Sequence, residues 1–421
     1  MKTSYRSIDD VYARLDNIPM FGQKGRAAAN FSLDSIRLFA DKMGNPHLNV
    51  PSIHAAGTNG KGTTCRILSS IYQSAGYKTG VFTSPHLIDF RERFMINAEM
   101  ISEQELLKFF RIHEELIDEI PLTYFELSTA IAFWYFSDQN TDIAIYETGL
   151  GGRLDATNIL QPLVSVITSV GLDHMDILGS TIEEIAKEKA GIIKPDTQVV
   201  TGHLSQKAFK IVKRIAKQQG STCVNAISGA VTQLLKTADP AGSWNEVLSE
   251  KYNKPIAIAV TNCLSERYPV SLENLRIGLE LWRERYPTGV SFQQLHPELQ
   301  WYFDGAHNVE AIKLLMCQLR EIAPLSDWTF VLAMMGDKLN EDIGKQVSET
   351  GIVFYYSIKS ERAASEKQMK FILADASKFP LRDDNMPADD WIQKYKSELV
   401  IFGGSFYFYQ TVKQWMGNIA T

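Results

Sequence analysis

Residues 53–64, IHAAGTNGKGTT, combine a short apolar run, three glycines, a lysine and three threonines, leading into a helical pattern. Gly57, Gly60 and Gly62 let the backbone turn so that successive N–H groups, Thr58 and Asn59 included, and a helix N-terminus converge on one anion. Lys61 adds positive charge against the β- and γ-phosphates of a nucleotide, and the Thr63 hydroxyl can reach the metal ion that accompanies them. The stretch is a variant of the GxxxxGK[ST] phosphate loop, with Ala55 at the first glycine and Gly62 between Lys61 and Thr63.

Four other stretches place polar side chains just past apolar runs. In TSPHLIDFRERF (83–94) Ser84 falls at a strand end, with His86 and Arg91 nearby. In YETGLGGRLDATN (146–158) Glu147 ends an apolar strand, where a carboxylate beside phosphates would hold a partly hydrated Mg²⁺. Its GLGG also resembles a dinucleotide turn, but the GxGxxG spacing is incomplete. In VGLDHMDILGSTIEEIAKEKAGIIKP (170–195) His174 stands beside Asp173 and Asp176 as a candidate metal ligand, while Lys187 and Lys189 read by composition as a solvated helix face. In WYFDGAHNVEAI (301–312) Asp304 is placed to take a ribose hydroxyl and His307 to approach phosphate; the competing reading is a helix N-cap by Asp304 or Asn308.

The elements needed to hold these residues are legible. Strand patterns at 52–57, 79–83, 142–147, 163–168 and 198–202 alternate with helical patterns at 102–118, 124–138, 181–190 and 204–219. Such alternation requires crossover connections, hence a mostly parallel sheet covered by helices. Residues 220–252 carry no readable period, and helical patterns follow at 256–266 and 271–285. Pro287 and Gly289 then interrupt the pattern, and strand runs resume at 299–304, 328–335, 351–358 and 398–404. The expected architecture is an α/β, P-loop-type ATPase domain over 1–288, followed by a smaller Rossmann-like α/β domain over 289–421.

Composition narrows the class. With 421 residues, 45% hydrophobic and 22% charged, the chain can bury a large core. A net charge of −6 argues against a nucleic-acid partner, so anions must be gripped locally. The four cysteines form no CxxC pair, which suits a reducing compartment better than disulfides or structural zinc. The acidic N-terminus is unlike a signal peptide and no apolar run is long enough to span a membrane, so a cytoplasmic protein is expected.

Taken together, the motifs resemble the folylpolyglutamate synthase/dihydrofolate synthase branch of the Mur ligase superfamily. The resemblance rests on MFGQKG (20–25), GTNGKGT, TSPHLIDFRERF, TYFELSTAIAFWYF, ETGLGGRLDATN, the 170–195 stretch, DGAHN, ERAAS (361–365) and GGSFYFYQTV (403–412), in the family's order. It implies an ATP-dependent ligase that joins L-glutamate to dihydropteroate, or to the γ-carboxylate of a reduced folate, through an acyl phosphate, with domain closure excluding water. Lys61 and Thr63 would then hold phosphate and metal, Ser84 and Glu147 one Mg²⁺, and Glu147 with His174 a second. Lys189 matches the position such families carry as a carbamylated lysine serving that second metal, and Lys61, Glu147, His174 and Lys189 form the implied catalytic set. Asp304 and His307 would meet the nucleotide, and Arg362 and Ser405 would lie near the glutamate. The resemblance also allows a monovalent cation, and it suits a monomer.

Two stretches depart from the family pattern. No arginine precedes DGAHN by about a dozen residues, where Val290 and Ser291 stand in TGVSFQQL. The HQxxN-like stretch is replaced by SEKYNKPIAIAV, with Tyr252, Asn253 and Pro255. Weaker or altered ATP binding is expected from both. Two other functions fit the same motifs: a paralogous ligase amidating another acid, and a nucleotide-binding protein without turnover.

Overall fold

The computed structural model describes residues 4–18, 32–229, 231, 233, 237, 247–288, 290–382 and 384–418, so MFGQKG at 20–25, Gly289 and most of 230–246 lie outside it. The chain divides into two compact units, Met1–Asn245 with Glu250–Pro287, and Glu246–Ser249 with Thr288–Thr421.

The first unit is built on an eight-stranded sheet of β1 (Ser52–Ala56), β2 (Thr79–Phe82), β3 (Phe94–Ile96), β4 (Glu99–Met100), β5 (Ile143–Glu147), β6 (Val164–Ile167), β7 (Gln198–Thr201) and β8 (Thr222–Asn225). Its spatial order is β4-β3-β2-β5-β1-β6-β7-β8. The strands from β2 to β8 in that order pair in parallel, and only β3 and β4 run antiparallel at one edge. β1 lies between β5 and β6 and is buried along its whole length, as its unbroken SIHAA run requires of a strand covered on both faces. The register puts Ala55 beside Glu147 and Ala56 beside Ile167, so the carboxyl ends of the three central strands open on one edge. In open α/β sheets ligands collect at that edge.

Helices cover both faces. One core gathers Ile53, Ile67, Leu68, Ile71, Val166, Ile256, Leu279 and Trp282 around the helix Lys61–Ser74, which packs under Leu272–Arg285 and Glu250–Cys263. The opposite face is led by Tyr124–Asp138, buried on nearly every side, with Leu106, Phe109 and Tyr146 among its core partners. Capping residues set the helix starts: Thr123 with Glu126, and Thr181 with Glu184, form reciprocal boxes.

Two expectations need correction, and one stretch without an expectation gains a strand. The 102–118 pattern is two helices, Glu103–Ile112 and Glu114–Glu119, parted at His113, whose ring packs against Phe109. The helix expected at 256–266 starts earlier and ends at Cys263, with Pro255 inside it. The unreadable 220–252 stretch contributes the edge strand β8.

The second unit has a six-stranded sheet of β9 (Gln293–Gln294), β10 (Trp301–Asp304), β11 (Trp328–Leu332), β12 (Ile352–Tyr355), β13 (Ser377–Lys378) and β14 (Leu399–Gly403), in the order β13-β12-β11-β14-β10-β9. All neighbours are parallel except β9 with β10. Its core includes Ile312, Leu315, Leu319, Trp328, Phe330 and Ile401.

Candidate active site

The turn after β1 is tied to the segment after β6. Thr58 N–H donates to the Ser169 carbonyl at 3.0 Å, and Asn59 N–H donates to Ser169 Oγ at 2.8 Å. The Asn59 carbonyl accepts from Thr168 Oγ1 at 2.7 Å and Ser169 Oγ at 2.9 Å, and Thr58 Oγ1 accepts from Gly171 N–H at 2.9 Å. Only glycine fits at 57, where a Cβ would lie 1.9 Å from Thr168 Oγ1. Gly60 has φ +82° and caps the helix Lys61–Ser74, and a Cβ there would meet Asn253 Oδ1 at 2.3 Å. The first helical turn, with Gly62 and half-buried Thr63, therefore leaves a rigid, glycine-lined N-terminus suited to phosphate.

Glu147 ends β5 across from this turn and is 4% exposed. Its Oε2 accepts from Ser84 N–H at 3.1 Å, and its Oε1 lies 4.0 Å from Lys61 Nζ. Burial raises its pKa above the ordinary carboxylate range, against the pull of Lys61, the Ser84 amide and the more distant Arg66 and Arg93. Lys61 Nζ also donates to the Gly57 carbonyl at 3.1 Å. Ser84, Lys61 and Glu147, each expected at the phosphate and metal site, stand together in the structure.

Lys189 differs from its compositional reading. Lys187 is exposed as expected, but Lys189 is 3% exposed and its Nζ donates to the Gly57 carbonyl at 2.8 Å. Ile185, Ala186, Lys189 and Ala190 form the buried stripe of the helix Ile182–Ala190, which turns this lysine inward. Burial, aided by the Lys61 charge, lowers its pKa to about 7. His174 caps the short helix Met175–Leu178 in a left-handed conformation with φ +50°, and its Nε2 lies 3.9 Å from Asp173 Oδ1.

Among the described residues no three His, Cys, Asp or Glu side chains converge as an all-protein metal cage. The buried Glu147 carboxylate facing the phosphate turn does fit Mg²⁺, which is held by one or two carboxylates while keeping nucleotide and water oxygens. Lys189 as an ammonium is a donor and cannot ligate metal, whereas a carbamate on its nitrogen would offer the oxygen ligands that Mg²⁺ prefers.

Other expected residues have separate roles. Arg91 is held by Asp89 at 2.6 Å and faces Glu103 at 3.7 Å, whereas His86 Nδ1 accepts from Arg93 Nε at 2.9 Å. In the second unit Asn308, not Asp304, caps the helix Val309–Ile322. Asp304 accepts from the amides of Phe292 and Ala306, each at 2.8 Å, and His307 Nδ1 lies 2.8 Å from the Gly305 carbonyl. Arg362 reaches Asp337 at 2.9 Å, and Ser405 Oγ accepts from Tyr407 N–H at 3.3 Å.

Several supporting residues carry no motif of their own. Asn253, noted above only as a departure, packs on Gly60 and accepts from Thr64 Oγ1 at 3.4 Å. Glu250 anchors the same helix by accepting from Lys254 Nζ and Arg283 Nε, both at 2.5 Å. His54 Nε2 lies 2.7 Å from Thr157 Oγ1, which donates to Asp155 Oδ1 at 2.5 Å; Asp155 Oδ2 holds the Leu150 amide of the GLGG turn at 2.8 Å. For Asn253 and His54 no local signal exists, because their partners Thr64 and Thr157 lie far away in sequence.

A phosphate turn on the central strand of a parallel sheet, facing a strand-end carboxylate and a buried lysine, makes a site for nucleotide phosphates and their metal ion. Residues 55–236 match the Mur ligase middle domain. The dihydrofolate synthase/folylpolyglutamate synthase of Bacillus subtilis is 33% identical over 404 residues, spanning 89% of this chain and 92% of that one. Among solved structures, Escherichia coli FolC in complex with DHPP and ADP superposes with a TM-score of 0.80 at 26% identity, covering 98% of both chains. The bifunctional folylpolyglutamate synthase/dihydrofolate synthase of Yersinia pestis, complexed with AMPPNP and Mn ion, gives 0.79 at 26% identity over 98% of this chain and 99% of that one. The chain belongs to the dihydrofolate synthase/folylpolyglutamate synthase family and is an ATP-dependent acid–amino acid ligase.

Among the described residues no helix is long and apolar enough to cross a membrane.

Proposed function

We propose that this chain joins L-glutamate to dihydropteroate, to the γ-carboxylate of a reduced folate, or to both, in a domain spanning 1–288 with a second domain over 289–421. The observation that carries the reading is the cluster of Glu147, Ser84 N–H and Lys61 facing the Gly57–Gly62 turn. A free carboxylate is a poor acyl donor, so the acid first attacks the γ-phosphate of ATP to give an acyl phosphate, which the glutamate amine then opens with release of phosphate. The turn amides and Lys61 bind and orient the phosphates, and preorganised donors at developing negative charge lower the barrier. Thr63, Ser84 and Glu147 would hold Mg²⁺, with His174 near a second ion; bound there, the metal supplies charge that screens the two reacting anions from each other.

Lys189 has an amine that is largely deprotonated at mildly alkaline pH, the form that adds CO₂. That supports its carbamate as the group serving the second metal. Asp304 and His307 are assigned to the nucleotide, and Arg362 and Ser405 to glutamate. The similarity to proteins whose structures hold ADP, AMPPNP, Mn ion and DHPP supports the same ligand classes here.

The test is ADP release with dihydropteroate or tetrahydrofolate in the presence and absence of glutamate. Glutamate-dependent release with either acid is expected. Release with neither acid sinks the assignment, and release with an unrelated acid replaces it by the paralogous ligase.

A further inference from the structure

The loop between β2 and β3 is more heavily built than its role as a connection requires. Glu92, 4% exposed, accepts from the amides of Leu87, Ile88 and Asp89, each at 2.9 Å. Arg93, 6% exposed, lies over the Tyr124 ring at 5.4 Å and donates from Nε to His86 Nδ1 at 2.9 Å. Phe90 meets the His86 ring edge-on at 6.0 Å. Two buried charges thus fix the shape of one short loop, an expensive arrangement unless the loop must present something. The loop begins at Ser84, whose N–H is on Glu147.

What it presents follows from hydrogen-bond chemistry. A guanidinium has donors only, so the Nδ1 that receives Arg93 Nε–H carries a lone pair, and the ring proton sits on Nε2. His86 is half-buried, and its Nε2–H has no acceptor among the described residues. We propose that His86 is a substrate-binding residue that offers this fixed Nε2–H to a carboxylate oxygen of a substrate, with Arg93 as the positioning residue that selects the tautomer.

The inference rests on the ligase reading and deepens it. Phosphate donors are already supplied by the Gly57–Gly62 turn, whereas the remaining anions of the reaction are carboxylates, on the acid substrate and on glutamate. A neutral N–H backed by a buried guanidinium suits such an oxygen: it donates without forming an ion pair that must be broken at product release.

The test is steady-state kinetics of wild type, His86→Leu, His86→Asn and His86→Gln, varying the acid, glutamate and ATP separately, with thermal unfolding to establish that each variant folds. Leu and Asn should raise the KM for one carboxylate substrate by about 10- to 100-fold, the range of a hydrogen bond to a charged group. The KM for ATP should stay within about twofold, since phosphate is held elsewhere. Gln, whose amide nitrogen reaches the position of Nε2, should recover most of the loss. A rise confined to the acid or to glutamate identifies which carboxylate is held. Unchanged KM for both in His86→Leu, or Asn performing as well as Gln, overturns the proposal while leaving the ligase reading intact. A wild-type protein without glutamate-dependent ADP release removes the ligase reading, and this inference with it.

Discussion

Replacing Lys189 by Met should make the first unit more stable at neutral pH while abolishing turnover. The Lys189 ammonium titrates at about 7 in the folded protein against 10.5 unfolded. The unfolded chain therefore holds the proton across this window while the folded chain has released it, and stability rises with pH. The cost of burying the charge is fully present below about pH 7 and vanishes above about 10.5. A shift of about 3.5 units at 1.36 kcal/mol each sets a ceiling of about 5 kcal/mol. Losing the bond to the Gly57 carbonyl returns part of it, but only part, because Lys61 Nζ also donates to that oxygen at 3.1 Å. A net gain of about 3 kcal/mol is expected at pH 7 for Lys189→Met. The assay is urea denaturation in CO₂-free buffer, read by hydrogen exchange in peptides covering Ile182–Ala190, so that only the first unit is followed. The difference between variant and wild type should shrink steadily from pH 7 to pH 10. A variant that is less stable at pH 7, or a difference that does not change with pH, refutes the reasoning.

Further predictions concern neighbouring residues. Glu147→Ala should lose at least about a hundredfold in kcat with the unfolding midpoint nearly unchanged, since a strand-end carboxylate packs little core; near-normal turnover would remove it from the site. Gly60→Ala forces a Cβ to 2.3 Å from Asn253 Oδ1 at a φ of +82°, and should cost about 1–3 kcal/mol and raise the KM for ATP; an unchanged KM would count against the turn as the phosphate site. His54 is held neutral by burial and by the Lys194 charge, with a pKa of about 3. Unfolded His54 takes up its proton below about 6.5, so stability should fall as pH drops from 6.5 towards 3, and less steeply in His54→Phe; equal slopes in acid unfolding would refute this. Lys189→Ala should regain part of its activity with acetate or formate if a carboxylate stands there in the working enzyme, and an absence of rescue would discard the carbamate.

Most of the architecture was legible because its signals are local. Strand-length apolar runs alternating with 3.6-residue periods identify a parallel sheet, and the strand–glycine–lysine–helix order of 53–64 identifies the phosphate turn, because both depend on backbone geometry within a dozen residues. Where local signals conflict, tertiary packing decides. The pattern at 102–118 ran through the break at His113, which packing against Phe109 decides, and an edge strand in the irregular 220–252 stretch owes its place to the neighbouring β7. Composition misjudged Lys189 for the same reason: nothing in EEIAKEKA says which face of the helix lies beneath the phosphate turn.

The class of chemistry follows from the amino-acid order alone, since the residue types able to hold phosphate and Mg²⁺ occur at strand ends, and the chain's order places those ends along one edge. How each group is tuned depends on the packed fold. It brought Lys61 and Lys189 onto one carbonyl, set Asn253 against Gly60 and aimed Arg93 at His86. Charge state, tautomer and close approach depend on burial and on partners distant in the chain, and those exist only once the sheet and its covering helices have closed around them.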